Sequence, residues 1–596
     1  MKKQKDDTLK IDLGSLPEWD LSDFYSNIDS SQIKKDLSSA ERKARVFNSE
    51  YKEQLSLISD LRKVIEEYEG IDELLCKILS YAQLVYAGNI CDPEIAKFYQ
   101  SIQERVNDIS GELLFFTLEI NQIDENILKK QVQSDTTKKY EPWLSDLQRF
   151  RSYQLGEESE RLIHDKQVSG SGAWCRLFDE TMASLRFDFD GKSLTSEEIM
   201  NKLSDPDSRV RKCASENLGR ELSKHSKVFS LITNTLAKDK EIEDRWRKFP
   251  RPDSFRNLSN KVEDSVVNAL NLAVRRSYKD LSHRYYKLKA QWFGKSTLDH
   301  WDRNAPLLEA DSTLITWEKA KETVLAAYRD FSPVLADIGE RFFEEDWIDA
   351  TVREGKSSGA FSHPTVPSVH PYILLNYQGR LRDVMTLAHE LGHGCHQLLA
   401  APQGHLMADT PLTLAETASV FGEMLTFKKL LDQQDTSLKR KIMLSSKVED
   451  MLNTVIRQIA FFNFELKIHE ARRSGELTAE NICDIWVEVQ SESLGPSIRF
   501  DHYYRWFWTY IPHFIHSPFY VYAYAFGDCL VNSLYSVYEK SPEGFVDKYL
   551  DMLRSGGSKH HTELLSPFGL NASDSEFWQI GLNVIGGMID ELETMS

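Results

Sequence analysis

The chain is poor in the residues that punctuate secondary structure. Its 596 residues include 18 prolines and 28 glycines, about 3% and 5% against an average usage of about 5% and 7%. So few breakers argue against a loop-rich architecture and favour long helices. Cysteine is scarce as well: seven residues (76, 91, 175, 213, 395, 483 and 529), scattered and without a C-x-x-C pair. This speaks against a disulfide scaffold and a cysteine-only zinc site, and the expectation is reduced thiols in a cytoplasmic protein. No apolar run approaches the roughly 20 residues of a membrane span. Basic residues are in deficit, 73 against 92 acidic ones, for a formal charge of −19. A surface this acidic repels phosphate backbones and anionic lipid, so neither nucleic acid nor membrane is an expected partner. The one basic cluster (Lys2, Lys3, Lys5) is diluted by Asp6 and Asp7 and lacks the features of a signal peptide or presequence.

What is present is helical periodicity. Between Ser31 and Glu50 the apolar residues fall at Ile33, Leu37, Ala40, Ala44 and Phe47, close to a 3.6-residue repeat. Similar stretches predict helices over Gln54–Tyr68, Asp72–Tyr86, Pro93–Gln122 and Pro142–Leu155. No period of 20–50 residues recurs, and no Gly/Ser- or Pro-rich linker separates the helices, which are expected to pack together. Two segments depart from this pattern. Leu185 to Leu194 alternates around Asp190-Gly191, the signature of a small hairpin. Ala360 to Gln378 reads as a Pro-containing loop followed by a short apolar strand, Tyr372 to Tyr377, ahead of a helix that begins near Leu381.

That helix carries His389-Glu390-Leu391-Gly392-His393. Residues i and i+4 share a helix face, so the two imidazoles can converge on one metal ion, with Glu390 beside them as an acceptor for a water proton. Imidazole suits Zn²⁺, and a catalytic zinc keeps one position open for water. The neighbours Val384, Met385, Leu387, Ala388 and Leu391 imply burial, and buried polar groups need partners. For a third ligand, Leu414 to Leu425 forms a second apolar helix carrying Glu416 and Glu423, seven apart on one face. The preferred pairing is Glu416 as ligand and Glu423 as acceptor from a ligating imidazole, but spacing alone does not choose between them.

The run His389 to Gln397, followed by Glu416-Thr417-Ala418-Ser419, resembles the thimet-oligopeptidase-type (M3) zinc peptidases, and within them the oligoendopeptidase F branch. Tyr372 to Gly379, Gly355-Lys356, Gly359-Ala360-Phe361, Trp19-Asp20-Leu21, His513-Phe514 and Phe519 to Tyr524 are similar to that branch too. The resemblance covers roughly the whole chain. It implies a mainly α, two-lobed helical zincin-type fold with a deep central channel and a small β element beside the zinc helix. The lobes are expected at 1–195, ending in the hairpin, and 196–596, holding one zinc. It implies His389, His393 and Glu416 as ligands, Glu390 as catalytic carboxylate, and His513, Tyr520 and Tyr522 facing the scissile bond. Ile515 stands where the branch often has Tyr, so the oxyanion donor stays open among Tyr520, Tyr522 and His513. The implied activity is endopeptidase cleavage of short oligopeptides. The alternatives are a peptidyl-dipeptidase of the same family and a non-catalytic helical binding protein. The oligomeric state is not legible.

Other residues have plainer readings. His396, three after His393, reads as a core or supporting histidine rather than a ligand, and Cys395 as a small buried hydrophobe. His363 and His370 read either as cleft-lining or as surface-loop residues. His560-His561 has no partner carboxylate at useful spacing. The aromatic run Tyr503 to Tyr510 reads as core packing.

Overall fold

The computed structural model describes residues 13–132, 137–167, 169–307 and 314–595; the tail carrying Lys2 to Asp7 lies outside them. The scarcity of breakers is expressed as long helices, including Arg62–Gly88, Ser226–Arg247 and Leu412–Asp432. The first predicted helix forms as Ser31–Tyr51 and buries the five apolar residues its periodicity selects. Ser30 caps it, its hydroxyl accepting from the Gln32 N–H, which satisfies one of the free first-turn donors.

Boundaries differ where local signals misled. The segments Gln54–Tyr68 and Asp72–Tyr86 are not two helices: a short turn at Leu55–Leu57 precedes one continuous helix, Arg62–Gly88. Gly70 costs about 1 kcal/mol relative to Ala inside it, less than the burial of Val64, Ile65, Ile71, Leu75 and Ile78 on the same helix returns. Conversely, Pro93–Gln122 breaks at Glu112-Leu113 into Pro93–Gly111 and Leu114–Gln122. The last predicted stretch forms as Glu141–Arg149 and a tight turn at Arg151–Tyr153.

The hairpin forms as Phe187–Phe189 paired antiparallel with Lys192–Leu194. Asp190 and Gly191 both have positive φ, 51° and 74°, as a two-residue I′ turn requires. The strand after the Pro-containing loop is Tyr372–Leu374, central in a three-stranded sheet. It pairs parallel with Ile348–Asp349 and antiparallel with Phe361–His363.

This small sheet gathers chain segments that are far apart in sequence. Trp19 packs edge-on to Tyr372 with ring centroids 6.1 Å apart, and the Tyr372 hydroxyl donates to the Asp20 carbonyl at 2.8 Å. The buried Lys356 ammonium donates to Asp349 Oδ1 (2.7 Å) and to the carbonyls of Asp349, Thr351 and Leu375. A buried ammonium is tolerable only when its donors are met in this way. The sheet lies against the helix Leu381–Ala400. One apolar cluster runs from Phe24 to Leu592 through all these elements.

Candidate metal centre

The helix Leu381–Ala400 buries Val384, Leu387, Ala388, Leu391 and Cys395, and its most extensive partner is the helix Leu412–Asp432. Gly392 sets how closely the two approach. A Cβ there would stand 2.5 Å from the Ala418 carbonyl oxygen and 2.6 Å from the Ser419 Cα, so the backbones cross at a distance only glycine permits. Gly527 does the same for the carboxylate side chain: a Cβ at 527 would meet Glu416 Cβ at 2.9 Å. Replacing Gly392 by Ala is expected to cost about 1–3 kcal/mol and to weaken metal binding, because main chain rather than a mobile side chain must move. Denaturant unfolding and metal titration check this; wild-type values in both would show that the close crossing is not needed.

At the crossing, His389 and His393 stand one turn apart with ring centroids 4.9 Å from each other. Glu416 Oε2 lies 3.3 Å from His389 Nε2 and 3.4 Å from His393 Nε2, and the three donor atoms are all within 4.8 Å of one another. Those separations are too long for charge-assisted hydrogen bonds, which run about 2.7–2.9 Å. They match the edge of a tetrahedron around zinc, about 3.3 Å for bonds of about 2.0–2.1 Å. On the far side of the ring, His389 Nδ1 lies 3.4 Å from Glu423 Oε2, and the other Glu423 oxygen accepts from the buried Lys447 ammonium at 2.5 Å. Ser419 Oγ donates to Glu416 Oε2 at 2.7 Å.

The electrostatics point the same way. Burial opposes charge on His389, yet the Glu423 carboxylate behind the ring and the charges of Glu416 and Glu390 push it up to about 9. Burial likewise opposes the Glu416 carboxylate, but His393 and His389 bring it down to about 2. Glu423 is also held near 2, against burial, by the charges of Lys447 and His389. Glu390, 8% exposed, is shifted upward by burial and hydrogen-bonded to the Ser362 backbone N–H. The same carboxylates that favour a proton on His389 would favour a divalent cation between the imidazoles in its place. The residues therefore fit a zinc ion in donor type, spacing and charge.

The family model described as peptidase family M3 matches residues 202–584, and the one described as oligopeptidase F matches residues 119–187. The chain belongs to peptidase family M3. It is accordingly a peptidase with a mainly helical fold. An oligoendopeptidase F homolog of Borreliella burgdorferi is 25% identical over 97% of this chain and 98% of its own length. Oligopeptidase PepF of Bacillus subtilis is 25% identical over 92% and 85%. A crystal structure from Chlamydophila abortus shares the fold at a TM-score of 0.83, with 23% identity over 97% of this chain and 98% of its own. Among the described residues no helix is long and apolar enough to cross a membrane.

In this M3 chain the aromatic residues near 513–524 divide differently from the sequence reading. His513 stacks near Tyr520 (6.0 Å between centroids), its Nε2 is 3.3 Å from the Tyr524 hydroxyl, and the rings of Tyr520 and Tyr524 pack edge to face at 5.2 Å. Both tyrosines are within electrostatic range of Glu416. Tyr522 is not part of this group. It is fully buried, packs on Phe462, and its hydroxyl accepts from Asn260 at 2.8 Å. Tyr524 stands with His513 and Tyr520 instead. The loop that delivers Tyr520 is clamped. Phe519 holds a positive φ of 59°, its N–H donates to the buried Glu465 at 2.8 Å, and Arg256 donates to the Pro518 carbonyl at 3.2 Å.

The remaining histidines and cysteine are also placed. His396 is buried, pushed down to about 4 by desolvation, and lies 3.5 Å from Thr410 Oγ1 rather than among the donors. Cys395 is fully buried and its thiol is pushed up by burial. His363 and His370 both line a cleft of about 380 Å³ that is also lined by His393 and, from the helix Arg62–Gly88, by Cys76, Leu79, Ser80 and Gln83. His560-His561 does have a partner carboxylate, Glu263, at 3.1 and 2.8 Å, brought from a distant segment.

Lys447 and Asp528 escaped the sequence reading. Lys447 sits between Met443 and Met451 on the buried face of Ser437–Leu452, a four-residue spacing that carried the signal. Asp528 is buried, held up to about 7 by desolvation against the Lys447 charge, and accepts from Asn532 at 2.6 Å.

Proposed function

We propose that the chain is a zinc-dependent endopeptidase acting on internal bonds of short unstructured oligopeptides. His389, His393 and Glu416 would hold the ion, Glu423 would orient His389, and Glu390 would act as general base. The observation that carries this reading is the 3.3–3.4 Å spacing of two imidazole nitrogens about one Glu416 oxygen, with a buried carboxyl, Glu390, adjacent in the chain. Bound zinc supplies Lewis acidity, which lowers the pKa of a water from 15.7 toward about 7 and polarises a carbonyl.

The chain's own groups do the rest. Glu390, raised in proton affinity by burial, accepts the proton of the attacking water and then delivers it to the leaving amine. The Ser362 N–H favours its charged form. Ser362 also donates to the Gln397 side chain at 2.9 Å, tying the strand to the helix that bears Glu390. The hydroxyls of Tyr520 and Tyr524, with His513 behind them, are the donors available to the developing oxyanion. A cleft walled on one side by a helix of the 1–195 lobe supports access for extended peptides rather than folded proteins.

Tyr520→Phe or Tyr524→Phe is expected to lower kcat about 10²–10³-fold for whichever hydroxyl meets the oxyanion. Tyr522→Phe is expected to leave kcat unchanged and to cost about 0.5–1.5 kcal/mol of stability. A larger kcat loss in Tyr522→Phe than in the other two would reverse the assignment. The overall reading is tested by digesting a mixed-length peptide library, each sequence as free acid and as C-terminal amide, with and without chelator. Internal cleavage of both forms, lost with chelator, is expected. Dependence on the free carboxylate would make the chain a peptidyl-dipeptidase, and no cleavage at all would favour a binding role.

A further inference from the structure

A second set of metal-donor side chains lies at the same cleft, shared between the helix Arg62–Gly88 and the segment that follows the metal-motif helix. Asp72 and Cys76 are four apart on the helix Arg62–Gly88, so both project from one face. His405 begins the short helix His405–Ala408, which follows the metal-motif helix after the turn Ala401–Gln403. Its Nε2 lies 2.8 Å from Asp72 Oδ2, a charge-assisted hydrogen bond that an incoming ion has to displace. One donor atom from each of Asp72, Cys76 and His405 falls within 4.8 Å of the others.

The arrangement is held independently of any ion. Glu69, one turn before Asp72, accepts the Leu406 N–H at 3.3 Å and the Tyr140 hydroxyl at 2.6 Å, which fixes the His405 backbone against the helix. All three donor residues are half-buried, shielded from bulk water but reachable through the cleft. Cys76 and His405 both line that cleft, with His363, His370, His393 and His396, so a metal ion entering it meets a wall rich in imidazole.

We propose that Asp72, Cys76 and His405 form a second transition-metal site, distinct from the centre at His389, His393 and Glu416. Its carboxylate, thiolate and imidazole donors suit Zn²⁺ or a similar borderline ion and leave a position for water. Binding releases two protons to solvent, the Cys76 thiol proton as the sulfur coordinates the ion and the His405 Nε2 proton now held against Asp72 as that nitrogen coordinates it. An occupied site joins the helix Arg62–Gly88 to the chain segment that follows the catalytic helix, and so braces the two walls of the cleft.

The sulfur donor makes the site separately visible, because Cys76 is the only cysteine among the candidate donor groups of the described residues. The full-length protein is loaded with one equivalent of Co²⁺ and then given a second. A sulfur-to-cobalt charge-transfer band is expected to rise with the second equivalent in the wild type and to be missing from Cys76→Ser. Equilibrium dialysis is expected to find two ions per chain in the wild type, and one in both Cys76→Ser and His405→Gln. These two variants touch different elements, so a folding defect in one leaves the other informative. A band that persists in Cys76→Ser, or wild-type binding that stops at one ion, would overturn the proposal.

Discussion

Replacing Glu390 by Gln is expected to lower peptide turnover about 10²–10⁴-fold, the range that a positioned general base contributes, while leaving bound zinc at the wild-type level. The amide keeps the size of the side chain and can still accept from the Ser362 N–H, so the strand and the helix should stay in place. What is lost is the ability to take a proton. Glu390 is equipped for that transfer: desolvation raises its proton affinity, while His389 and His393 keep the carboxylate accessible. Turnover and metal content must be measured on the same preparation. Near-normal turnover with zinc retained would remove Glu390 from the mechanism.

Glu416→Gln and Glu423→Gln are expected to separate by metal affinity, although both residues lie on one helix and both touch His389. Glu416 brings one oxygen to within 3.4 Å of both imidazole Nε2 atoms. Its amide should empty this centre at micromolar zinc, and abolish hydrolysis with it. Glu423 reaches only the opposite ring nitrogen of His389 and is anchored by Lys447. Its amide should weaken zinc about 10–100-fold, as loss of a partner behind a ligand does, and activity should return with added zinc. Competition with a chelator of known affinity measures both. The reverse order would exchange the two roles.

The parts of this site that were legible in the sequence are those set by spacing within one element. His389 and His393 share a face because a helix repeats every 3.6 residues, and an apolar helix bearing Glu416 and Glu423 announces carboxylates in need of partners. Choosing between those two required a resemblance, since both lie on one face and only packing decides which reaches the imidazoles. Tyr522 shows a signal that was present and passed over. Tyr522 and Tyr524, two apart on the helix Tyr522–Lys540, cannot share a face, whereas Tyr520 reaches Tyr524 from the loop before that helix. Lys447 was legible in the same way from Met443 and Met451.

Gly392 and Gly527 were not legible, because what they make room for arrives from other helices, and nothing local marks the crossing. The fused helix Arg62–Gly88 has the same cause. Local propensity at Gly70 favours a break, and tertiary burial along both halves overrides it.

The central claim is that one zinc ion held by His389, His393 and Glu416 carries the hydrolysis. The most direct measurement is peptide turnover as zinc is added back to chelator-stripped protein. The prediction is negligible activity without metal, rising linearly and reaching its plateau at one equivalent per chain. Stripped protein that cleaves peptide at the full rate, or activity that ignores the first equivalent, would contradict it.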